Sequence, residues 1–277
     1  MKKQTKKKLA RYAGKAALGM LKLVTVYPAK GLWYLGKKGY QGLQQAKAHR
    51  QQQKIEQDRP NLQPIYEALT EVKPKTGNFH AFEHKLFTNK STIGLILGAR
   101  GSGKSGIGMR LLENFAAKTS KKVYALGFKP ESLPPWIRVI QNIQELENDA
   151  AVLIDEGGIE FSSRKSMSDA NTLLSEILLI ARHKDLSVMF IAQNSANLEI
   201  NAIRQADYLI LKPSSLLQKD FERKKIKDIY ESIEPEFEEL KETSGLTYIY
   251  ADIYRGFVSN TLPGFWSEKV SKGYAGR

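Results

Sequence analysis

Residues 98 to 105 read Gly-Ala-Arg-Gly-Ser-Gly-Lys-Ser, directly after the apolar run Thr92 to Leu97 and directly before a helix-forming stretch, Gly103 to Lys118. This is the spacing of a phosphate-binding loop in the strand–loop–helix setting that such a loop requires. The glycines let the backbone of Gly98, Ala99, Arg100, Gly101, Ser102 and Gly103 curl so that successive N–H groups point at one anion. The helix that follows adds the positive end of its dipole. Lys104 is placed to reach the β- and γ-phosphates of a nucleotide, and the Ser105 hydroxyl to ligate Mg²⁺. ATP and Mg²⁺ are therefore the expected ligands.

A loop of this kind needs a parallel sheet behind it, and the rest of the chain supplies candidates. Short apolar runs at Val123 to Phe128, Val152 to Asp155, Val188 to Ala192 and Tyr208 to Leu211 read as strands buried on both faces. They alternate with helical stretches, notably Asp169 to His183, with Ser168 as its cap and Leu174, Ile177, Leu178 and Ala181 on one face. Strands alternating with helices predict an α/β, three-layer fold with a mostly parallel sheet, and joined to the phosphate loop it resembles the P-loop NTPases of the RecA/ASCE type. The expected segments are a basic amphipathic arm over 1–58, a connector over 59–90, an ATPase core over 91–213, and a C-terminal extension over 214–277. Within the last, Lys219 to Lys241 reads as a charged helix broken at Pro235, and Thr247 to Val258 as a hairpin turning near Asp252 or Gly256.

The run Ala-Ala-Val-Leu-Ile from residue 150 ends in Asp155-Glu156, two carboxylates at the edge where a doubly wound sheet places its ligands. Asp155 is expected to hold Mg²⁺ through water and Glu156 to activate the attacking water as general base. A third strand ends at Gln193, which is placed either to sense the γ-phosphate and orient that water, or merely to cap a turn. Positive charge must also meet the transition state. Arg182, with His183 at the end of the long helix, is the first candidate, Arg204 the second, and Arg164 a third. The aromatic stretch from Phe79 through Phe82 to Phe87 offers an adenine-stacking surface or core packing, and the four scattered histidines make no metal site.

The net charge of +14 is unevenly spread. Residues 1 to 59 hold 15 Lys/Arg against Glu56 and Asp58, a net of +13, which leaves +1 for the remainder. The arm alternates these cations with Leu21, Leu23, Val24, Val26, Trp33 and Leu35, broken by Pro28. Nucleic acid, an anionic membrane surface and plain solvation all suit such a segment. Cysteine is absent, which excludes disulfides and thiolate metal sites. No run of about 20 apolar residues exists, and no small-residue cleavage site follows a clean apolar stretch, so a secreted protein is not expected.

The ordered set Gly98–Ser105, Asp155-Glu156, Ala181-Arg182-His183 and Phe190-Ile-Ala-Gln193 resembles the HerA/FtsK superfamily of DNA-pumping ATPases, over about residues 90 to 212. In size and layout the chain is similar to the small genome-packaging ATPases of viruses and to the zonular-occludens-toxin-like assembly ATPases of filamentous phages. The resemblance implies a homo-oligomeric, hexamer-like ring with ATP between subunits, an arginine supplied in trans, and double- or single-stranded DNA in the channel. It implies a place in host cytoplasm or on the virion, peripheral at a membrane if the arm binds one. Residues 1–58 are expected to contact anionic membrane or a capsid vertex. The filamentous-phage proteins carry a membrane span after the ATPase domain; no such run is present here, which favours packaging over extrusion. A regulatory GTPase is disfavoured, because no Asn-Lys-x-Asp segment follows the core, and an ABC ATPase because Leu-Ser-Gly-Gly-Gln is absent. A small-molecule kinase and a membrane-bound assembly factor remain as alternatives.

Overall fold

The expected strands all form. In the computed structural model, which describes residues 44, 46–47, 49–50, 53–155, 167–198 and 200–271, they are β2 (Thr92–Leu97), β3 (Lys122–Leu126), β5 (Ala150–Asp155), β6 (Ser187–Ala192) and β7 (Tyr208–Leu211). Every residue of β2, β5 and β6 is buried. Their side chains alternate between two cores, the period of two that a sheet covered on both faces demands. Leu95, Leu97, Val152, Ile154, Val188 and Phe190 point to one core, and Ile96, Ala151, Leu153, Met189 and Ile191 to the other. The first core is closed by α3 (Met167–Ala181) and α6 (Lys224–Glu239), the second by α1 (Phe79–Thr88) and α2 (Lys104–Lys118). The result is the three-layer α/β fold.

The chain divides into two units, Met1–Gln57 and Asp58–Arg277. The described residues of the first are helical; the basic stretch 1–43 lies outside the described residues. The second unit contains one nine-stranded sheet, ordered β1-β9-β8-β7-β2-β6-β5-β3-β4. β2, β3, β5, β6 and β7, with β4 (Ile137–Ile140), are parallel, and β1 (Thr70–Gly77), β8 (Thr247–Ala251) and β9 (Tyr254–Ser259) extend the sheet antiparallel. The connector and the C-terminal extension thus each contribute strands to the sheet that carries the phosphate loop. The hairpin turns at Asp252 and Ile253.

Differences from the sequence reading have physical causes. Strand β4 is not among the expected strands, because Ile-Arg-Val-Ile is a short run at the other edge of the sheet with Arg138 exposed. Strand β1, Thr-Glu-Val-Lys-Pro-Lys-Thr-Gly, has no apolar run because it is an edge strand, with Pro74 exposed and Lys73 and Lys75 paired to Glu239 and Glu236 of α6 at 2.6 Å each. The helix expected from Lys219 is two helices, α5 (Leu216–Asp220) and α6. The break lies at Glu222 and Arg223, which leave the helical path to bind the turn after β6. Glu222 accepts from the Ser195 N–H at 2.7 Å, and Arg223 donates to the Ser195 carbonyl at 3.0 Å. Pro235, expected to end a helix, lies inside α6. It sits on the exposed side, where the carbonyl one turn back can turn to water, while Ile226, Ile229, Tyr230 and Ile233 hold the opposite face in the core.

Candidate nucleotide site

The loop from Gly98 to Gly103 joins the carboxyl end of β2 to the first turn of α2. Gly98 has φ 150°, and a Cβ there would stand 2.6 Å from Lys212 Cβ and 3.0 Å from the Lys212 carbonyl, so only glycine fits. Gly103, with φ 92°, occupies the cap position of α2 in a left-handed conformation. The loop is pinned at its base by Ala99 N–H donating to the Pro213 carbonyl at 3.0 Å. Lys104 is buried, and its ammonium donates to the Gly98 carbonyl at 2.7 Å and the Ala99 carbonyl at 2.8 Å. The cation is therefore curled over the mouth of the loop. The first-turn N–H groups of α2 have no intrahelical partners, as at any helix start, and they open on the same space.

Asp155 ends β5 and is buried. Strand β6 lies between β2 and β5, with Leu97 level with Ala192 and Asp155 level with Ile191. This brings the two functional strand ends to one edge. Ser105 Oγ donates to Asp155 Oδ2 at 3.2 Å, although the residues are 50 positions apart. Two hard oxygens side by side are the donors that a hard cation such as Mg²⁺ takes, with Ser105 as a direct ligand and Asp155 acting through a water. Ser105 and Asp155 are thus the pair that could hold Mg²⁺. No group of three or more His, Asp or Glu among the described residues forms a separate metal site.

Gln193 follows β6 and is exposed between these two strand ends; its backbone carbonyl accepts from the Gln218 amide. The turn-capping amide is the neighbouring Asn194, whose side chain accepts from Ala196 N–H at 2.7 Å. Gln193's side chain is not spent on that cap. Glu156 and Arg164 lie outside the described residues. Arg182 and Arg204 are exposed and line, with Thr92 and Tyr208, a cavity of about 270 Å³. Those last two residues begin β2 and β7, so both arginines sit at the edge opposite the loop. The six residues of β2 separate the edges by about 17 Å at 3.3 Å per residue.

The aromatic residues before the loop are core. Phe79 packs on Tyr254 with centroids 5.3 Å apart, Phe82 on Tyr208 at 5.7 Å and Phe87 on Phe115 at 4.9 Å. They offer no stacking surface to a base, because helix α1 turns them onto the sheet. Two polar elements have little signature in the sequence. Lys212, 2% exposed, lies under the loop at the end of β7, and its ammonium donates to the carbonyls of Gly245 at 2.9 Å and Leu246 at 3.0 Å. Burial pushes this amine down to about 8. Arg110, on α2, bonds Glu113 at 2.7 Å and the segment Thr261–Leu262. A cation straight after a buried strand is the one local hint of Lys212; Arg110 at i−3 from Glu113 is the hint of the other.

Glycine-shaped loop, lysine, serine and strand-end aspartate converge at the carboxyl edge of a sheet in which β6 separates the loop strand from the aspartate strand. The fold is that of a P-loop NTPase. No protein-family model matches the chain, and no curated protein is similar to it. Among solved structures it is similar to the genome packaging NTPase B204 of Sulfolobus turreted icosahedral virus 2 in complex with ATP-gammaS, at 17% identity and TM-score 0.40, over 63% of this chain and 100% of that one. It is similar to the DNA-packaging ATPase B204 of Sulfolobus turreted icosahedral virus at 16% and 0.41, with the same coverage. It is also similar to the cytoplasmic domain of the type VII secretion ATPase EccC of Thermomonospora curvata, at 16% and 0.40, over 68% of this chain and 28% of that one.

Proposed function

We propose that the chain is an ATP-hydrolysing, DNA-translocating motor of the genome-packaging kind. The observation that supports the chemistry is the Ser105–Asp155 contact of 3.2 Å beside a lysine held over a glycine-shaped loop. Lys104 exchanges the two loop carbonyls for the β- and γ-phosphate oxygens. Ser105 directly and Asp155 through water would hold Mg²⁺, which when bound would neutralise charge building on those oxygens. Glu156 takes a proton from the attacking water as its oxygen bonds the γ-phosphorus and the bond to the β–γ bridging oxygen breaks. Gln193 orients that water. No helix of the described residues is long and apolar enough to cross a membrane.

The motor reading rests on two further observations. Arg182 and Arg204 lie at the edge opposite the loop, so either meets a γ-phosphate only if that phosphate belongs to a second copy of the chain. That fits a homo-oligomeric ring, taken as a hexamer, with Arg182 acting in trans. The +13 carried by residues 1–59 fits an anionic polymer. The measurement is the ATPase rate with and without double-stranded or single-stranded DNA, alongside Glu156→Gln. Stimulation by DNA, and its loss with turnover in Glu156→Gln, is the expected result; a rate indifferent to DNA would remove the motor, and near wild-type turnover in the variant would move the base elsewhere.

A second reading is a membrane-associated assembly or extrusion ATPase of the zonular-occludens-toxin type. It is favoured by the apolar residues interleaved in the arm, which a DNA tail does not need. Removal of residues 1–58 should leave basal hydrolysis largely intact and weaken flotation with anionic liposomes or attachment to a capsid vertex. Unchanged flotation would sink the membrane version.

A further inference from the structure

We infer that the segment Asn260–Trp266, which follows the last strand, is the platform on which the nucleoside of the bound nucleotide rests, with Leu262 and Trp266 as its stacking face. The inference rests on the nucleotide reading and names the part of that site left open by the aromatics of α1. A phosphate loop fixes direction: the lysine meets the β- and γ-phosphates, and the backbone at the start of the helix meets the α-phosphate. The ribose and base therefore leave the loop beside the first turn of α2, just past Ser105. The residue there is Gly106. A Cβ on Gly106 would meet Leu262 Cδ2 at 2.8 Å and would lie 3.9 Å from Trp266 Cη2. The missing side chain lets the C-terminal segment cross the first turn at contact distance.

What the segment presents there is apolar. Leu262 is 52% exposed and the Trp266 ring half-buried, whereas Pro263 and Phe265 between them are buried. An exposed leucine next to a partly open indole, at the point where a nucleoside must lie, is a surface for the face of a planar heterocycle. It is also held in place before any ligand arrives. Arg110, one turn along α2 from Gly106, donates to Thr261 Oγ1 at 2.9 Å and to the Leu262 carbonyl at 2.5 Å. That guanidinium is itself fixed by Glu113 at 2.7 Å and Glu67 at 2.9 Å. Trp266 N–H closes a tight turn on the Pro263 carbonyl at 2.9 Å, and Phe265 seats edge-on against Trp136 at 5.6 Å. A platform fixed in this way loses little freedom on binding, which favours affinity.

The test compares ATP with inorganic tripolyphosphate, both in Mg²⁺, by titration calorimetry on the full chain and on Leu262→Ser and Trp266→Ala. Each variant should bind ATP about 10-fold more weakly, in line with the stacking contribution of one side chain to one base, and tripolyphosphate as the wild type does. Trp266→Phe should recover most of the loss. Equal losses for both ligands would mean a general distortion of the loop and overturn the inference, as would unchanged ATP affinity in both variants. Failure of the wild type to bind either ligand would instead overturn the nucleotide reading. Because Leu262 is exposed, Leu262→Ser keeps the test open should Trp266→Ala unfold.

Discussion

Replacing Arg110 by leucine should destabilise the protein far more than any surface change, and the structure says by how much. The Arg110 and Glu113 side chains are both buried and bond each other at 2.7 Å. Glu113 also accepts from the Ile65 N–H at 3.3 Å, a long contact that cannot replace the guanidinium. Removing the arginine leaves a carboxylate uncompensated in the core and orphans the Thr261 and Leu262 acceptors. Breaking a buried pair from one side costs about 3–5 kcal/mol. For the 220-residue unit Asp58–Arg277 this lowers the melting temperature by roughly 6–20 °C, at about 2–4 °C per kcal/mol. The double variant Arg110→Leu/Glu113→Leu should recover most of the deficit, since two apolar residues replace a paired charge at little net cost. pH gives a second handle. Burial, the largest influence, already raises the Glu113 carboxyl above its ordinary value while Arg110 lowers it, so the variant raises it further. A carboxyl whose folded value exceeds its unfolded value favours the fold at low pH and loses that contribution as pH rises through the folded value. The deficit measured by urea unfolding should therefore narrow as pH falls toward the ordinary carboxylate range. A loss below about 1 kcal/mol in the single variant, or a double variant as unstable as the sum of the singles, would refute the reasoning.

Other outcomes follow from the same geometry. Lys212, lowered to about 8 by burial, binds fewer protons folded than unfolded between about pH 8 and its ordinary value of 10.5, so stability should rise with pH across that window and be flat below it; urea midpoints of wild type against Lys212→Met, from pH 7 to 10, check this. Gly108→Val puts a side chain where a Cβ alone would lie 2.7 Å from Leu153 Cδ1, forcing α2 away from β5; it should cost about 1–3 kcal/mol and slow turnover by spreading Ser105 from Asp155. On the proposed ring with Arg182 in trans, mixing Arg182→Ala with Lys104→Ala should restore some hydrolysis, because one interface type would keep both groups; full activity in a monomer would exclude this, and Arg204 is next should Arg182→Ala be silent.

What could be read from the chain followed from how each element is stabilised. Strands β2, β3, β5, β6 and β7 were legible because their interiors are buried on both faces and read as apolar runs, whereas β4, a four-residue edge strand with Arg138 exposed, was not. The loop was legible because a backbone conformation dictates its residues. Strand β1 was not, since an edge strand is held by backbone bonds to β9 and has a polar, lysine-bearing sequence. The helix break at Glu222–Arg223 was hidden for a related reason: it is imposed by bonds to Ser195, 27 and 28 positions away, with no glycine or proline to mark it. Ser168, expected as a cap, lies within the helical residues of α3. The roles given to Lys104, Ser105 and Asp155 depend on residue type and strand end, which sequence displays. Those of Lys212 and Leu262 depend on what the hairpin and the segment after it bring against the loop, which only the folded chain displays.

The most direct test of the account is equilibrium binding of Mg·ATP to the full chain and to Lys104→Ala. The lysine is the charge that the loop itself holds over the phosphate mouth, through two carbonyls at 2.7 and 2.8 Å. Loss of a charge-assisted contact to phosphate is worth about 1.5–3 kcal/mol, so affinity should fall at least 10-fold while the fold, read by circular dichroism, stays intact. Equal affinity in the two proteins would place the nucleotide somewhere other than the loop from Gly98 to Ser105, and the central claim would fall with it.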